Sequence, residues 1–220
     1  MKKSHHRLNI SVLAVLLAGW AGFSISANAI TLDFEGLQDL EYIQDFYNGG
    51  TGSLGSAGPN YGVQFGSDSQ ALVGGVAFTP ELAPSPGTVA LFLQGVGVVM
   101  NVAAGFDTAI SFYYTAPNNP GFVRIWDGLD GTGNLLADIV LGQSASTGPL
   151  PFDAWAPAGA AFSGTAMSAV FGGVAIDIGF DDITFGRQTP GGVPDGGASA
   201  LLLGIGLASV GFFRRLCGIA

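Results

Sequence analysis

Four carboxylates sit at the two ends of one stretch of this chain: Asp33 and Glu35 near its start, Asp181 and Asp182 near its end. If the first and last segments of that stretch lie side by side, acids at both ends can share a cation. Calcium takes oxygen ligands only, and the stretch offers oxygen ligands without nitrogen or sulfur competitors. The same four acids also fit a plainer role as solvated edge charges that discourage aggregation. On an extended strand, alternation puts Asp33 and Glu35 on one face and Asp181 and Asp182 on opposite faces, so one of the latter pair at most points at a shared site.

Carboxylate pairs also equip glycoside hydrolases, which need one acid and one base or nucleophile at a set separation. Asp127 with Asp130, and Asp107 with Asp153, are the pairs to consider, although all four stand in turn contexts where Asp is expected anyway. Sugars also bind by stacking on exposed aromatic rings. Tyr47 and Tyr61 flank a Gly-rich segment, and Trp155 lies in the turn-rich stretch from Pro149 to Pro157, so these three are the candidate carbohydrate contacts among rings that mostly fill a core.

Other chemistries are excluded by what the chain lacks. Between Ile30 and Asp195 lie all 16 carboxylates, no lysine, and only Arg124 and Arg187 as cations. Both histidines, His5 and His6, precede this stretch, and the single cysteine, Cys217, follows it. A Ser-His-Asp or Cys-His nucleophile, a His/Cys zinc site, a lysine Schiff base and an internal disulfide are therefore ruled out within it. The acidic field repels phosphate backbones, which argues against nucleic acid as a partner.

The elements that must position these groups read as strands. From Ile30 to Gly186, β-branched and aromatic runs alternate with Gly, Asn, Pro and Ser clusters. The runs are 30–35, 61–65, 88–93, 96–102, 108–114, 122–126, 135–141, 160–163, 168–171, 175–178 and 182–185. Their spacing predicts an all-β fold, an antiparallel β-sandwich of jelly-roll type. One short helix is predicted over Leu40 to Phe46, capped by Asp39. Gly49 to Gly62 must be a loop, and Asp127 to Asn134 reads as a hairpin loop in preference to a calcium loop, because it lacks the closing Glu.

The two ends have another character. Lys2, Lys3 and Arg7, an apolar run from Leu8 to Trp20, and Ala27-Asn28-Ala29 make a secretory signal peptide over residues 1–29, cleaved before Ile30. A polar linker covers 187–192. Then come Val193-Pro194-Asp195-Gly196-Gly197, an uncharged segment of helical composition over about 198–213 that is expected to be a transmembrane helix, and Arg214-Arg215. Paired arginines after the helix keep that end in the cytoplasm and the preceding domain outside.

This order resembles the PEP-CTERM class of bacterial sorting signals, in its V-P-D-S-G variety; Gly196 stands where that variety has serine. The resemblance implies that an exosortase processes the tail after transient anchoring in the inner membrane, passing the domain to the cell surface or an extracellular exopolysaccharide matrix. The sandwich likewise resembles domains carried by such proteins, through Phe34-Glu35-Gly36-Leu37, Phe46 to Ser53, Gly58 to Val63 and Gly179 to Phe185. They share the layout of carbohydrate-binding modules, in which an acid site of this kind holds one structural calcium ion that pins the chain ends together. Three functions stay open: a non-catalytic carbohydrate-binding sandwich, a carboxylate-based polysaccharide-degrading enzyme, and a purely structural matrix component.

Overall fold

The computed structural model of the chain describes residues 29–75, 82–85, 87–144 and 150–190. The leader up to Asn28 and the sorting tail at 193–220 lie outside the described residues. Among the described residues, no helix is long and apolar enough to cross a membrane.

Eleven strands follow in order: β1 (Ile30–Leu32), β2 (Val63–Phe65), β3 (Ser69–Val73), β4 (Thr88–Phe92), β5 (Val98–Phe106), β6 (Ala109–Thr115), β7 (Gly121–Trp126), β8 (Leu135–Leu141), β9 (Ala156–Ala161), β10 (Ala166–Gly172) and β11 (Gly179–Phe185). They form two antiparallel sheets. The first runs β3-β4-β11-β6-β9 with β1 added on β11, and the second runs β2-β5-β10-β7-β8. One core lies between them, filled by Phe92, Ile110, Phe112 and Phe180 from the first sheet and by Met100, Val123, Ile125 and Phe171 from the second. Phe171 packs edge-on against Phe112 at 5.3 Å and against Phe180 at 5.2 Å, so three rings join the layers at distances favoured by aromatic quadrupoles. Alternation holds along β7, where Val123 and Ile125 are buried while Phe122, Arg124 and Trp126 are half-buried on the outer face.

Three expectations are corrected. No helix forms over 40–46: Leu40 and Gln44 take φ of 56° and 46°, and Tyr42 bridges to Gln70, so the segment turns instead of winding. Asp39 accepts a hydrogen bond from the Val73 backbone N–H at 3.1 Å, not from a helix end. The run 175–178 is a turn in which Ile176 has φ of 71°, and the strand begins only at Gly179.

One edge of β11 is divided between two partners. β4 pairs with Gly179 and Phe180, and β1 pairs with Ile183, Thr184 and Phe185. Asp181 and Asp182 fall in the gap, where the register against β6 on the other edge also shifts and Asp182 adopts φ of 48°.

Candidate functional site

Into this gap come the chain just after β1 and the loop just before β4, and the four predicted acids meet there. Asp33 follows Leu32, the residue paired with Ile183, so it lies across from Asp182. Asp181 Oδ2 accepts the Ser85 backbone N–H at 2.8 Å, and Asp182 Oδ1 accepts the Ser85 hydroxyl at 2.6 Å. Both carboxylates of the pair thus reach one loop residue, against the alternation rule, because the bulge at Asp182 rotates the chain between them. Glu35 Oε1 accepts the Thr88 N–H at 2.9 Å.

The electrostatics of this corner are unfavourable for so many negative charges. Burial pushes the carboxyl of Asp181, which has no exposed surface, up to about 8, and the charges of Asp182 and Glu35 add to the shift. Glu35 and Asp182 are also raised, by burial first and then by Asp33 among their neighbours. Nevertheless, among the described residues no three Asp, Glu, His or Cys side chains are gathered closely enough to hold a metal ion. The oxygens face N–H and O–H donors in the arrangement described.

Tyr47 belongs to this corner and not to a sugar-binding surface. It is 1% exposed; its hydroxyl accepts the Phe34 N–H at 2.6 Å and donates to Asp33 Oδ1 at 3.3 Å. Burial pushes its phenol well above the usual range. A ring with both faces in the core cannot stack on a ligand, so Tyr47 is withdrawn as a contact. Tyr61 is 41% exposed and stacks nearly parallel on Tyr47 at 6.0 Å. Trp155 is half-buried and packs against a small cluster of Ala83, Val89 and Phe152 outside the main core.

The turn acids have local work. Asp127 accepts both the backbone and side-chain N–H of Asn134, at 2.6 and 2.8 Å, which closes the β7–β8 hairpin and holds its carboxyl below the usual range. Asp153 accepts the Leu150 N–H at 3.0 Å, and Asp107 sits in the β5–β6 turn.

A cleft that the sequence did not announce lies on the outer side of the second sheet. It has a volume of about 140 Å³ and is lined by Asn48, Gly62, Gln64, Asn101, Ala103, Leu129 and Asp130. Gln64 and Asn101 are register partners on β2 and β5, placed on the outer face by alternation with Val63, Phe65, Met100 and Val102 in the core. The hairpin loop supplies the wall. Asn101 donates to Asp130 Oδ1 at 2.7 Å and accepts the Asp130 N–H at 2.8 Å; Ser168 accepts the Gly131 N–H and donates to the Gly128 carbonyl. On the opposite side, Asp45 Oδ1 accepts from Gln64 at 3.0 Å and from Asn48 at 3.1 Å. The exposed Tyr61 precedes the lining residue Gly62 in the chain. One signal for this cleft was present in the text: Asn101 is the single strongly polar residue in the run Val98–Phe106.

No family model and no curated protein matches the chain. Solved structures do. It resembles CsCBM6-3 from Clostridium stercorarium, solved with cellobiose, at 20% identity and a TM-score of 0.38 over 56% of this chain and 85% of that one. A carbohydrate-binding module of Cellvibrio mixtus lichenase 5A, solved with cellotriose, matches at 10% identity and 0.38 over 56% and 88%. The K1 cleaved adhesin domain of Lys-gingipain from Porphyromonas gingivalis matches at 9% identity and 0.44 over 73% and 98%. Likeness at this distance carries no ligand and no residue role to this chain.

Proposed function

We propose that residues 30–186 form a non-catalytic, carbohydrate-binding sandwich of jelly-roll type, displayed at the cell surface or in an extracellular polysaccharide matrix. The observation that carries this reading is the cleft at Asn48, Gln64, Asn101 and Asp130, with the exposed Tyr61 one residue along the chain from its lining residue Gly62. Sugar hydroxyls both donate and accept, and primary amides offer both functions in fixed planar geometry. An adjoining aromatic face covers the apolar side of a sugar ring. At about 140 Å³ the cleft is smaller than the roughly 300–1,000 Å³ of pockets that engulf a small molecule, which suits one part of a polymer whose remainder stays outside. Asp130 is the single carboxylate among its lining residues, whereas glycoside hydrolysis requires two.

Export would run through the signal peptide, and delivery through the tail. The tail reading rests on Val193-Pro194-Asp195-Gly196-Gly197 with Arg214 and Arg215, whose order suits an exosortase-type processing enzyme acting at the inner membrane. Calcium is the cofactor proposed for the corner of Asp33, Glu35, Asp181 and Asp182. The donor set is all oxygen and the buried Asp181 faces the like charges of Asp182 and Glu35, conditions under which a divalent ion relieves repulsion. Binding would require these side chains to draw together.

A glycan array probed with the full-length protein in neutral detergent tests the central reading. Retention that drops on Tyr61→Ala or Gln64→Ala is the expected result. Binding to no glycan would leave the structural matrix component, and release of reducing ends would establish the enzyme instead.

A further inference from the structure

The cleft contains a feature that its hydrogen-bonding capacity alone does not use: its polar side chains are held by two carboxylates. Asp45 orients Asn48 and Gln64, and Asp130 both lines the cleft and locks Asn101 in a two-bond pair. Asp130 sits at φ of 55°, in the left-handed region, and is kept there by that pair and by the Ser168 bonds to Gly128 and Gly131 on either side. Its charge therefore cannot swing away from an incoming ligand. No lysine, arginine or histidine is among the lining residues. Arg124, on the same outer face at β7, is committed to Asp138 at 3.3 Å and to the ring of Phe122 at 4.3 Å.

Selectivity is a difference between affinities, and a fixed repulsive group supplies it as effectively as an added contact. A hydroxyl-bearing ring can donate to the Asp130 carboxylate. A uronate or sulfate placed there brings like charge against a carboxylate that is already oriented, with no cation to offset it. Building on the glycan-binding reading above, we propose that this cleft selects uncharged polysaccharide and excludes anionic polysaccharide, with Asp130 as the specificity-determining residue.

Affinity electrophoresis of the full-length protein in neutral detergent separates the possibilities, using hydroxyethyl cellulose and laminarin as neutral polymers and alginate and polygalacturonate as anionic ones. The wild type should be retarded by at least one neutral polymer and by neither anionic one. Asp130→Asn keeps a hydrogen-bond acceptor for Asn101 and removes the charge; whatever its effect on neutral binding, the ratio of anionic to neutral apparent affinity should rise about tenfold or more. Asp107→Asn, in the β5–β6 turn, changes the net charge equally and should gain nothing. Equal retardation of the wild type by neutral and anionic polymers, or equal gains in the two variants, would overturn the selectivity while leaving glycan binding intact. Retardation by no polymer would overturn both.

Discussion

Asp181 is a carboxyl group without water, and its ionisation is linked to folding. Its folded pKa of about 8 lies above the unfolded value near 4, so the folded state retains a proton that the unfolded state has lost between those limits. Stability should therefore fall as pH rises from about 4 to about 8 in the presence of EDTA, and Asp181→Asn should flatten that slope; urea melts at four pH values would show it, and an unchanged slope in the variant would assign the linkage elsewhere. Tyr47 offers a second test at this scale. Tyr47→Phe leaves the Phe34 N–H buried without its acceptor and should cost about 1–3 kcal/mol in the same melts. Acids at both ends of a domain are conspicuous in a sequence, and the pairing of β1 with β11 brings these to one corner. The sequence misjudged Tyr47, since a tyrosine beside a Gly-rich segment reads alike whether its ring faces water or core.

Elements were legible where side chains alone decide them. The runs now seen as β4 to β8 are rich in Val, Ile, Phe and Leu and bounded by Gly, Asn or Pro, and their expected positions lie close to the observed ones. β3, Ser69-Gln-Ala-Leu-Val73, is hidden in the sequence because its first two residues are polar yet buried, Gln70 donating to the Leu40 carbonyl and Ser69 accepting the Val99 N–H. β9 is Ala-Pro-Ala-Gly-Ala-Ala, whose small side chains carry no periodic signal, and was expected several residues later. The Gly-rich loop is organised by a buried acid that nothing in its composition singles out. Glu41 accepts the backbone N–H groups of Gln38, Leu54 and Ser56 at 2.8 to 3.1 Å; burial pushes its carboxyl up, but these bonds outweigh burial and hold it below the usual range. Glu41→Ala should leave three backbone N–H donors without their acceptor and open the loop to limited proteolysis between 49 and 60 before the sandwich unfolds. Gly97 makes the opposite kind of test. At φ of 144° its missing Cβ would lie 2.3 Å from the Phe171 carbonyl oxygen, so Gly97→Ala should cost more than about 1 kcal/mol by shifting β5 against β10.

At the scale of the molecule, the chain has 16 acidic against 7 basic residues, and the basic ones are concentrated outside the sandwich. Calcium should raise the melting temperature at pH 7.5, by a stabilisation approaching 2.7 kcal/mol at about a hundredfold excess over its dissociation constant, whereas magnesium should do less. Identical melting curves with calcium and EDTA would remove the metal from the proposal. Delivery has its own measurement: mass spectrometry of surface-released protein should find Ile30 at the start and no Arg214-Arg215. The way the chain leaves the sandwich also has mechanical meaning. β11, the last strand, is flanked by β6 along one edge and by β1 and β4 along the other. A pull applied beyond Phe185, along the strand, loads the ladders on both edges together in shear, perpendicular to their hydrogen bonds, and cannot peel them open one at a time. A domain tethered by that end and gripping a polymer by its outer face would bear drag through its best-supported strand.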